Sequence, residues 1–174
     1  MDHSDHIALL RRGIPELGGV WADLGAGNGA FTLALADLLG PGCEIHAIDR
    51  DRSALSKNVE AVSRRFPNVE VHSGVADFTR PLRLPTLDGI VMANSLHFQA
   101  DQGAVVRQLR LCLRAGGRML VVEYNIDQGN FAVPNPVPFS RWEQLAEAAG
   151  FQHTERLATR PSRFLREIYS AASW

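Results

Sequence analysis

The chain has only two cysteines among its 174 residues, Cys43 and Cys112, and both lie in apolar surroundings. A disulfide framework or a zinc site needs more such residues than this. We therefore expect two buried, free thiols, as in the proteins of a reducing compartment. The scarcity of cysteine thus favours a cytoplasmic location.

The chain also lacks a charge excess and a long apolar run. Its 18 Lys and Arg residues nearly balance its 19 Asp and Glu residues, which gives a net charge of −1. Binding to nucleic-acid phosphates usually requires a basic excess, so a nucleic-acid partner is disfavoured. No apolar run approaches the roughly 20 residues of a membrane span, and the polar first six residues lack the pattern of a signal peptide. Neither a membrane nor a nucleic acid is therefore the expected partner.

The composition is that of an ordinary globular domain. Hydrophobic residues make up 45% and charged residues 21% of the chain, which is enough to bury a full core. The length fits one domain of average size. Residues 1–174 are therefore predicted to form a single domain.

Short apolar segments alternate with segments of helical period along the chain. Strands are predicted at residues 20–24, 44–48, 69–72, 89–93, 118–123, 152–158 and 164–171. Helices are predicted at residues 29–39, 53–66, 104–113 and 139–149. Such alternation predicts a doubly wound α/β fold, with a mostly parallel sheet of seven strands and helices on both faces. Only residues 159–162 join the last two strands, too few for a parallel crossover, so the last strand is predicted to be antiparallel.

A glycine-rich turn joins the first strand to the first long helix. Asp23, Gly25, Ala26 and Gly27 lie in or just before this turn. Glycines let a ligand touch the backbone, and a helix N-terminus offers unpaired N–H groups. The pattern alone is weak, because Gly25, Gly27 and Ala30 also fit the dinucleotide-binding motif, and a tight turn needs glycines for purely structural reasons.

Three acidic residues are expected at the rim formed by the carboxyl ends of the parallel strands. Asp49 follows the second strand, where it can accept hydrogen bonds from both hydroxyls of a ribose. Its alternative role is to cap the next helix, which Asp51 or Ser53 can do instead. That leaves Asp49 with no expected structural partner. Asp77, after the third strand, can accept from an adenine amino group, although by itself it would be a turn residue.

Asp23 discriminates between nucleotide cofactors. A carboxylate shortly before the first glycine would repel a pyrophosphate and attract a cation. S-adenosylmethionine carries an ammonium and a sulfonium, whereas NAD carries a pyrophosphate. Asp23 therefore favours S-adenosylmethionine and disfavours an NAD-type oxidoreductase.

These segments together resemble the class I S-adenosylmethionine-dependent methyltransferases. Residues 20–29 resemble the first motif of that family, 48–50 the second, 75–78 the adenine-binding motif, 87–98 the fourth motif, and 113–118 the turn before the fifth strand. The resemblance spans nearly the whole chain, and an antiparallel closing strand is a feature of the family. It implies transfer of a methyl group from S-adenosylmethionine, and the sparse insertions suggest a small-molecule acceptor. A non-catalytic cofactor-binding subunit remains the alternative.

The resemblance also implies roles for the matching residues. Those expected to bind the cofactor are Asp23, Gly25, Ala26 and Gly27 near the methionine part, Asp49 at the ribose, Arg50, Asp77 and Phe78 at the adenine, and Asn94 under the methyl group. The acidic ligands of the family's metal-dependent branch have no counterpart in the sequence, so no metal is expected.

His97 is the expected catalytic base, because it follows the fourth strand and histidine can titrate near neutral pH. The equally weighted alternative is that His97 only shapes the pocket. Glu123, Tyr124 and Asn125 end the fifth strand and can face the acceptor. In the loop at 125–138, Phe131 is predicted to form a pocket wall together with Tyr124, the alternative being a rigid, proline-rich spacer.

Overall fold

The computed structural model describes residues 1–162 and 164–174. The strands of this part are β1 Val20–Leu24, β2 Glu44–Asp49, β3 Glu70–Val75, β4 Leu87–Ala93, β5 Leu113–Tyr124, β6 Thr154–Ser162 and β7 Arg166–Ser173. The α-helices are α1 His3–Leu10, α2 Ala30–Leu39, α3 Arg52–Arg65, α4 Gln102–Arg110 and α5 Phe139–Ala148. Two short 3₁₀ helices, Arg11–Gly13 and Leu96–Phe98, complete the regular structure.

The strands form one sheet in the order β3-β2-β1-β4-β5-β7-β6. The pairs from β3 across to β5 are parallel, and β7 runs antiparallel to both β5 and β6. The predicted fold is confirmed, including the antiparallel last strand. The order reverses between β1 and β4, and in open α/β sheets ligands bind outside the carboxyl ends of the strands at such a point.

Alternation of side chains along the strands gives the sheet two buried faces. On one face, α4 and α5 pack with residues such as Leu24, Met92 and Val121. On the other face, α1, α2 and α3 pack with residues such as Val91 and Leu120. Helix α2 is buried along most of its length, as its dense apolar sequence predicts.

Asp51 caps helix α3, because its Oδ1 accepts hydrogen bonds from the backbone N–H groups of Ser53 (2.8 Å) and Ala54 (3.1 Å). This matches the prediction that a residue after Asp49 would cap the helix. The cap fixes the point where the chain leaves β2, and therefore the position of Asp49 at the rim.

The main difference from the sequence prediction concerns the start of β5. This strand begins at Leu113, five residues before the predicted start, because Leu113 pairs with Leu87 of β4. The register then shifts, and the next pair of residues is Gly89 with Arg118. Residues 115–117 thus belong to an irregular strand, and α4 ends earlier, at Arg110.

Both cysteines are free, Cys43 buried and Cys112 half-buried. Among the helices of the described residues, none has the length and apolar character to span a membrane.

Candidate functional site

The glycine-rich turn lies between β2 and the segment that follows β4. The N–H groups of Gly25 and Ala26 donate to the carbonyl oxygen of Ile48 at 2.8 and 3.1 Å. Gly25 has a left-handed backbone, with φ +79°, and a Cβ at this position would lie 2.5 Å from the Cβ of Ser95. Only glycine fits here, for both conformational and steric reasons. The close packing brings the ends of β1, β2 and β4 together.

Asp49 supports this turn directly. Its Oδ2 accepts a hydrogen bond from the N–H of Gly27 at 2.8 Å, and its Oδ1 accepts one from the N–H of Asp51 at 2.9 Å. The prediction that this carboxylate has no structural partner is therefore wrong. The sequence did not reveal these bonds because they depend on how the turn folds back over the end of β2.

Asp23 lies beneath the turn, with only 1% of its surface exposed. Thr32 of α2 donates a hydrogen bond from Oγ1 to its Oδ2 at 2.6 Å. Burial raises the pKa of Asp23 to about 6; the Thr32 bond opposes this rise and the nearby charge of Asp49 adds to it. Asp23 is therefore a buried carboxylate beneath the turn, and it does not lie at the solvent-exposed rim where the sequence placed it.

A cavity of about 190 Å³ lies in front of the turn. It is lined by Gly25, Asp49, Arg50, Phe78, Asn94, Ser95, Phe98 and Gln99. The first five of these were predicted to bind the cofactor, whereas Ser95, Phe98 and Gln99 were not. Phe98 and Gln99 follow β4 through a short 3₁₀ helix, and the sequence gives little sign that this segment bends back over the cavity.

Asn94 has the strongest local features in this cavity. It adopts a left-handed backbone with φ +52°, which is unusual for a residue other than glycine. Its side-chain Oδ1 is buried and has no hydrogen-bond partner among the described residues. Because this oxygen belongs to a residue that lines the cavity, a hydrogen-bond donor of a ligand can satisfy it.

Arg50 and Asp77 face one another across the same rim, with 3.9 Å between Nη1 and Oδ2. Asp77 also accepts hydrogen bonds from the N–H (3.0 Å) and hydroxyl (2.7 Å) of Thr79. These bonds, with a smaller contribution from Arg50, lower the pKa of Asp77. In the structure Asp77 therefore holds a turn, and its contact with adenine stays a prediction.

His97 and Glu123 form a buried pair at the carboxyl ends of β4 and β5. His97 is 2% and Glu123 0% exposed, and 2.6 Å separates Nδ1 of His97 from Oε2 of Glu123. The other carboxylate oxygen accepts from the N–H groups of Leu96 (3.1 Å) and His97 (3.3 Å). Glu123 thus holds both the imidazole ring and the backbone that carries it.

A row of aromatic rings leads away from the cavity through this pair. The ring of His97 lies 4.3 Å from that of Phe98 and 6.3 Å from that of Tyr124, and Tyr124 lies 5.8 Å from Phe164, between ring centroids. Tyr124 and Phe164 line a second cavity of about 520 Å³ beside the N-terminus of α1. Burial, followed by the charge of Glu123, raises the pKa of Tyr124, which therefore carries a neutral hydroxyl.

The loop at 125–138 contacts the His97 segment but not in the predicted way. Asn135 donates from its N–H (3.1 Å) and its Nδ2 (3.3 Å) to the carbonyl oxygen of His97, and Val133 is buried. Phe131 is fully exposed, so its predicted role as a pocket wall is wrong for this fold. The side chain of Asn130 accepts hydrogen bonds from Ala132 and Val133, and this turn directs Val133 inward and Phe131 outward.

These residues fit a cationic nucleoside better than a dinucleotide. Asp23 and Asp49 place two carboxylates at the turn, and the backbone at Gly25 leaves no room for a side chain. Asn94 offers an unsatisfied acceptor and Phe78 an apolar surface. Within residues 1–162 and 164–174, no three His, Cys, Asp or Glu side chains are placed to hold a metal ion.

Comparison with protein families gives a match over more than half of the chain. Residues 22–119, from β1 into β5, match the family model described as a methyltransferase domain. The matched segment contains the glycine-rich turn and every residue that lines the smaller cavity.

One curated relative is a methyltransferase by name. The ribosomal RNA small subunit methyltransferase H of Bradyrhizobium diazoefficiens is 35% identical over 101 residues, which are 53% of this chain and 30% of the relative. The chain spans less than half the length of the curated relatives it matches.

Many solved structures share the fold, and two of them serve as examples. A SAM-dependent methyltransferase from Aquifex aeolicus superposes with a TM-score of 0.73 at 18% identity, covering 97% of this chain and 88% of the other. The mitomycin 7-O-methyltransferase MmcR gives a TM-score of 0.68 at 15% identity, covering 97% and 53%.

Proposed function

The chain belongs to the methyltransferase-domain family, within the class I S-adenosylmethionine-dependent methyltransferases, and from this we propose that it methylates a hydroxyl group of a small molecule with His97 as general base. The family match confirms the predicted class and its cofactor, S-adenosylmethionine. It gives no support to an NAD-type oxidoreductase or to a non-catalytic subunit.

The observation that carries the proposal is the buried pair of His97 and Glu123. Glu123 accepts hydrogen bonds from the N–H groups of Leu96 and His97, and its other oxygen lies 2.6 Å from Nδ1 of His97. Because a carboxylate can only accept, we assign a proton to Nδ1 of His97 in this pair. In a neutral imidazole with its proton on Nδ1, Nε2 carries a free lone pair. The hydrogen bond made by Nδ1 thus determines that Nε2 is the nitrogen able to accept a proton. His97 is thereby prepared to accept a proton from a nucleophile.

A fixed base favours a hydroxyl acceptor. A neutral amine already carries the lone pair that attacks the methyl group, and it needs no base beforehand. A hydroxyl attacks well only as its proton leaves, and a positioned base contributes about 10²–10⁴-fold to such a step. The similar fold of a mitomycin 7-O-methyltransferase is consistent with an oxygen acceptor.

The cofactor residues have complementary tasks. When bound, S-adenosylmethionine supplies an activated methyl group on a good leaving group. Asp49 and Asn94 would hold its polar groups, Phe78 would cover the adenine, and Asp23 would balance positive charge near the methionine part. Holding donor and acceptor in line contributes up to about 7–11 kcal/mol to the lowering of the barrier.

We propose that the acceptor binds where the smaller cavity meets the His97 segment, because Phe98 lines that cavity and its ring lies 4.3 Å from the ring of His97. Tyr124, whose ring lies 6.3 Å from that of His97, would contact the acceptor as well. We further propose that the 174 residues act as one cytoplasmic domain without a nucleic-acid partner. The free cysteines and the net charge of −1 support this.

The test is methyl transfer from labelled S-adenosylmethionine to a panel of small phenols and alcohols, with matched amines and thiols beside them. The expected product is an O-methyl ether. With His97→Ala the rate should fall roughly 10²–10⁴-fold while affinity for S-adenosylhomocysteine stays constant. Label found only in amines or in ribosomal RNA would contradict the proposal, as would cofactor binding without turnover on any acceptor.

A further inference from the structure

A chain of buried side chains reaches the glycine-rich turn from the side opposite the cavity. Asn58 of α3 donates from Nδ2 to Oγ1 of Thr32 at 2.8 Å, and Thr32 donates from Oγ1 to Oδ2 of Asp23 at 2.6 Å. Asn58 and Thr32 are each 0% exposed. This series of hydrogen bonds therefore connects α3, α2 and β1 through buried side chains that solvent does not reach.

The direction of these two hydrogen bonds determines where the Thr32 hydroxyl points. The Thr32 hydroxyl has a single proton, and because Asn58 donates to its oxygen, that proton points at Asp23. A hydrogen bond donated to a carboxylate stabilises its ionised form. The Asn58 amide thus orients the hydroxyl, and the hydroxyl favours the charge on Asp23.

The same asparagine packs against the turn itself. A Cβ on Gly29 would lie 2.8 Å from both Cγ and Oδ1 of Asn58, so the two residues are in close contact. Asn58 also approaches the carbonyl oxygen of Gly27 at 3.5 Å. Asp49 holds the N–H of Gly27 from the other side, which fixes the turn between two side chains.

We propose that Thr32, oriented by Asn58, is a positioning residue for the cofactor: its hydroxyl donates to Asp23 beneath the glycine-rich turn and holds the carboxylate whose charge attracts the ammonium group of S-adenosylmethionine. The inference rests on the proposed function, because it requires the cofactor to occupy the glycine-rich turn. Three elements pack around the carboxylate. Asp49 at the end of β2 is the charged neighbour, whereas α2 and α3 contribute the neutral Thr32 and Asn58.

Burial and the Thr32 hydroxyl shift the pKa of Asp23 in opposite directions. Burial raises the pKa of Asp23 to about 6, Thr32 lowers it, and Asp49 raises it. Loss of the Thr32 bond would move this pKa upward by about one unit, toward neutrality, if the bond has the usual strength of a charge-assisted one. Cofactor affinity near neutral pH would then depend on the hydroxyl.

The experiment compares Thr32→Val, which removes the hydroxyl with little change of shape, with Thr32→Ser, which keeps it. Calorimetry measures the Kd of S-adenosylhomocysteine between pH 5 and pH 8. The control ligand is 5′-methylthioadenosine, which has the same adenosine but no ammonium group.

In the wild type, affinity for S-adenosylhomocysteine should fall as the pH drops through about 6. Thr32→Val should move this fall upward by about one pH unit, with roughly a threefold loss of affinity midway between the two midpoints that approaches tenfold below them. Thr32→Ser should retain the wild-type profile. Affinity for 5′-methylthioadenosine should depend little on pH in all three proteins.

Equal pH profiles for the valine and serine variants would overturn the proposal, as would the same pH dependence for both ligands. If Thr32→Val does not fold, the carboxyl ¹³C resonance of Asp23 in the wild type decides, and titration near pH 4 would overturn it. A wild type that binds neither ligand would refute the proposed function as well, which distinguishes that failure from failure of the Thr32 role alone.

Discussion

The carboxylate of Asp49 accepts a hydrogen bond from the N–H of Gly27 at 2.8 Å, which joins the end of β2 to the glycine-rich turn. The residue predicted to bind the ribose is thus also part of the support of the glycine-rich turn. Cofactor binding and local stability are therefore expected to change together when this side chain is altered.

Asp49→Ala should lower both apo stability and cofactor affinity. It removes the acceptor for the N–H groups of Gly27 and Asp51, which should cost about 1–3 kcal/mol of unfolding free energy. For a chain of this size that is a fall of several degrees in Tm. Asp49→Asn keeps one carbonyl acceptor, so its losses of apo stability and of cofactor affinity should both be smaller. An unchanged apo Tm for Asp49→Ala, measured by calorimetric scanning, would show that the bonds do not stabilise the turn.

Two glycines of the turn should respond differently to alanine. At Gly25 a Cβ would lie 2.5 Å from the Cβ of Ser95, whereas at Gly27 nothing lies within 4 Å. Both have positive φ, so both substitutions carry backbone strain of about 1–2 kcal/mol. Gly25→Ala should additionally displace the segment after β4 and reduce S-adenosylhomocysteine binding. Equal losses of Tm and of affinity in the two variants would contradict the close packing at Ser95.

Glu123→Gln tests whether the buried carboxylate prepares His97. The amide is nearly isosteric but uncharged, so turnover should fall at least about tenfold while the Kd of S-adenosylhomocysteine is unchanged. In a His97→Ala background the same change should have little further effect on turnover, because residues that act as a unit are not additive. Independent, multiplicative losses in the double variant would show that Glu123 does not act through His97.

Asp23→Asn should stabilise the apo protein at pH 7. Burial raises the pKa of Asp23 from 3.8 to about 6, so the folded chain holds this proton more tightly than the unfolded chain. The contribution to stability is fully present below pH 4 and is lost as the pH rises through 6, by an amount of about 3 kcal/mol. Urea unfolding from pH 4 to pH 8 should show this loss in the wild type and not in Asp23→Asn. A wild-type curve without such a loss would contradict the buried charge.

Much of the fold could be predicted because the strand and helix periods are strong and local. The boundary of β5 could not, since Leu113 enters the sheet only through its pairing with Leu87 across an irregularity. No local pattern in the sequence announces such a pairing. Propensity placed a turn where the tertiary structure continues the strand.

The site divides in the same way. Gly25, Asp49 and Asn94 stand next to strand ends, and their positions in the sequence suffice to place them at the rim. Thr32 and Asn58 occupy helix interiors, where polar residues usually face solvent, and only the packing of α2 and α3 shows that they are buried. The residues that line the cavity could therefore be predicted from the sequence, whereas the buried residues that support it could not.

Titration calorimetry of this chain alone with S-adenosylhomocysteine, and separately with NAD, measures whether the glycine-rich turn selects the methyl-donor cofactor. We expect S-adenosylhomocysteine to bind in the micromolar range, about −8 kcal/mol, with no competition by NAD. Heat of binding with NAD and none with S-adenosylhomocysteine would contradict it.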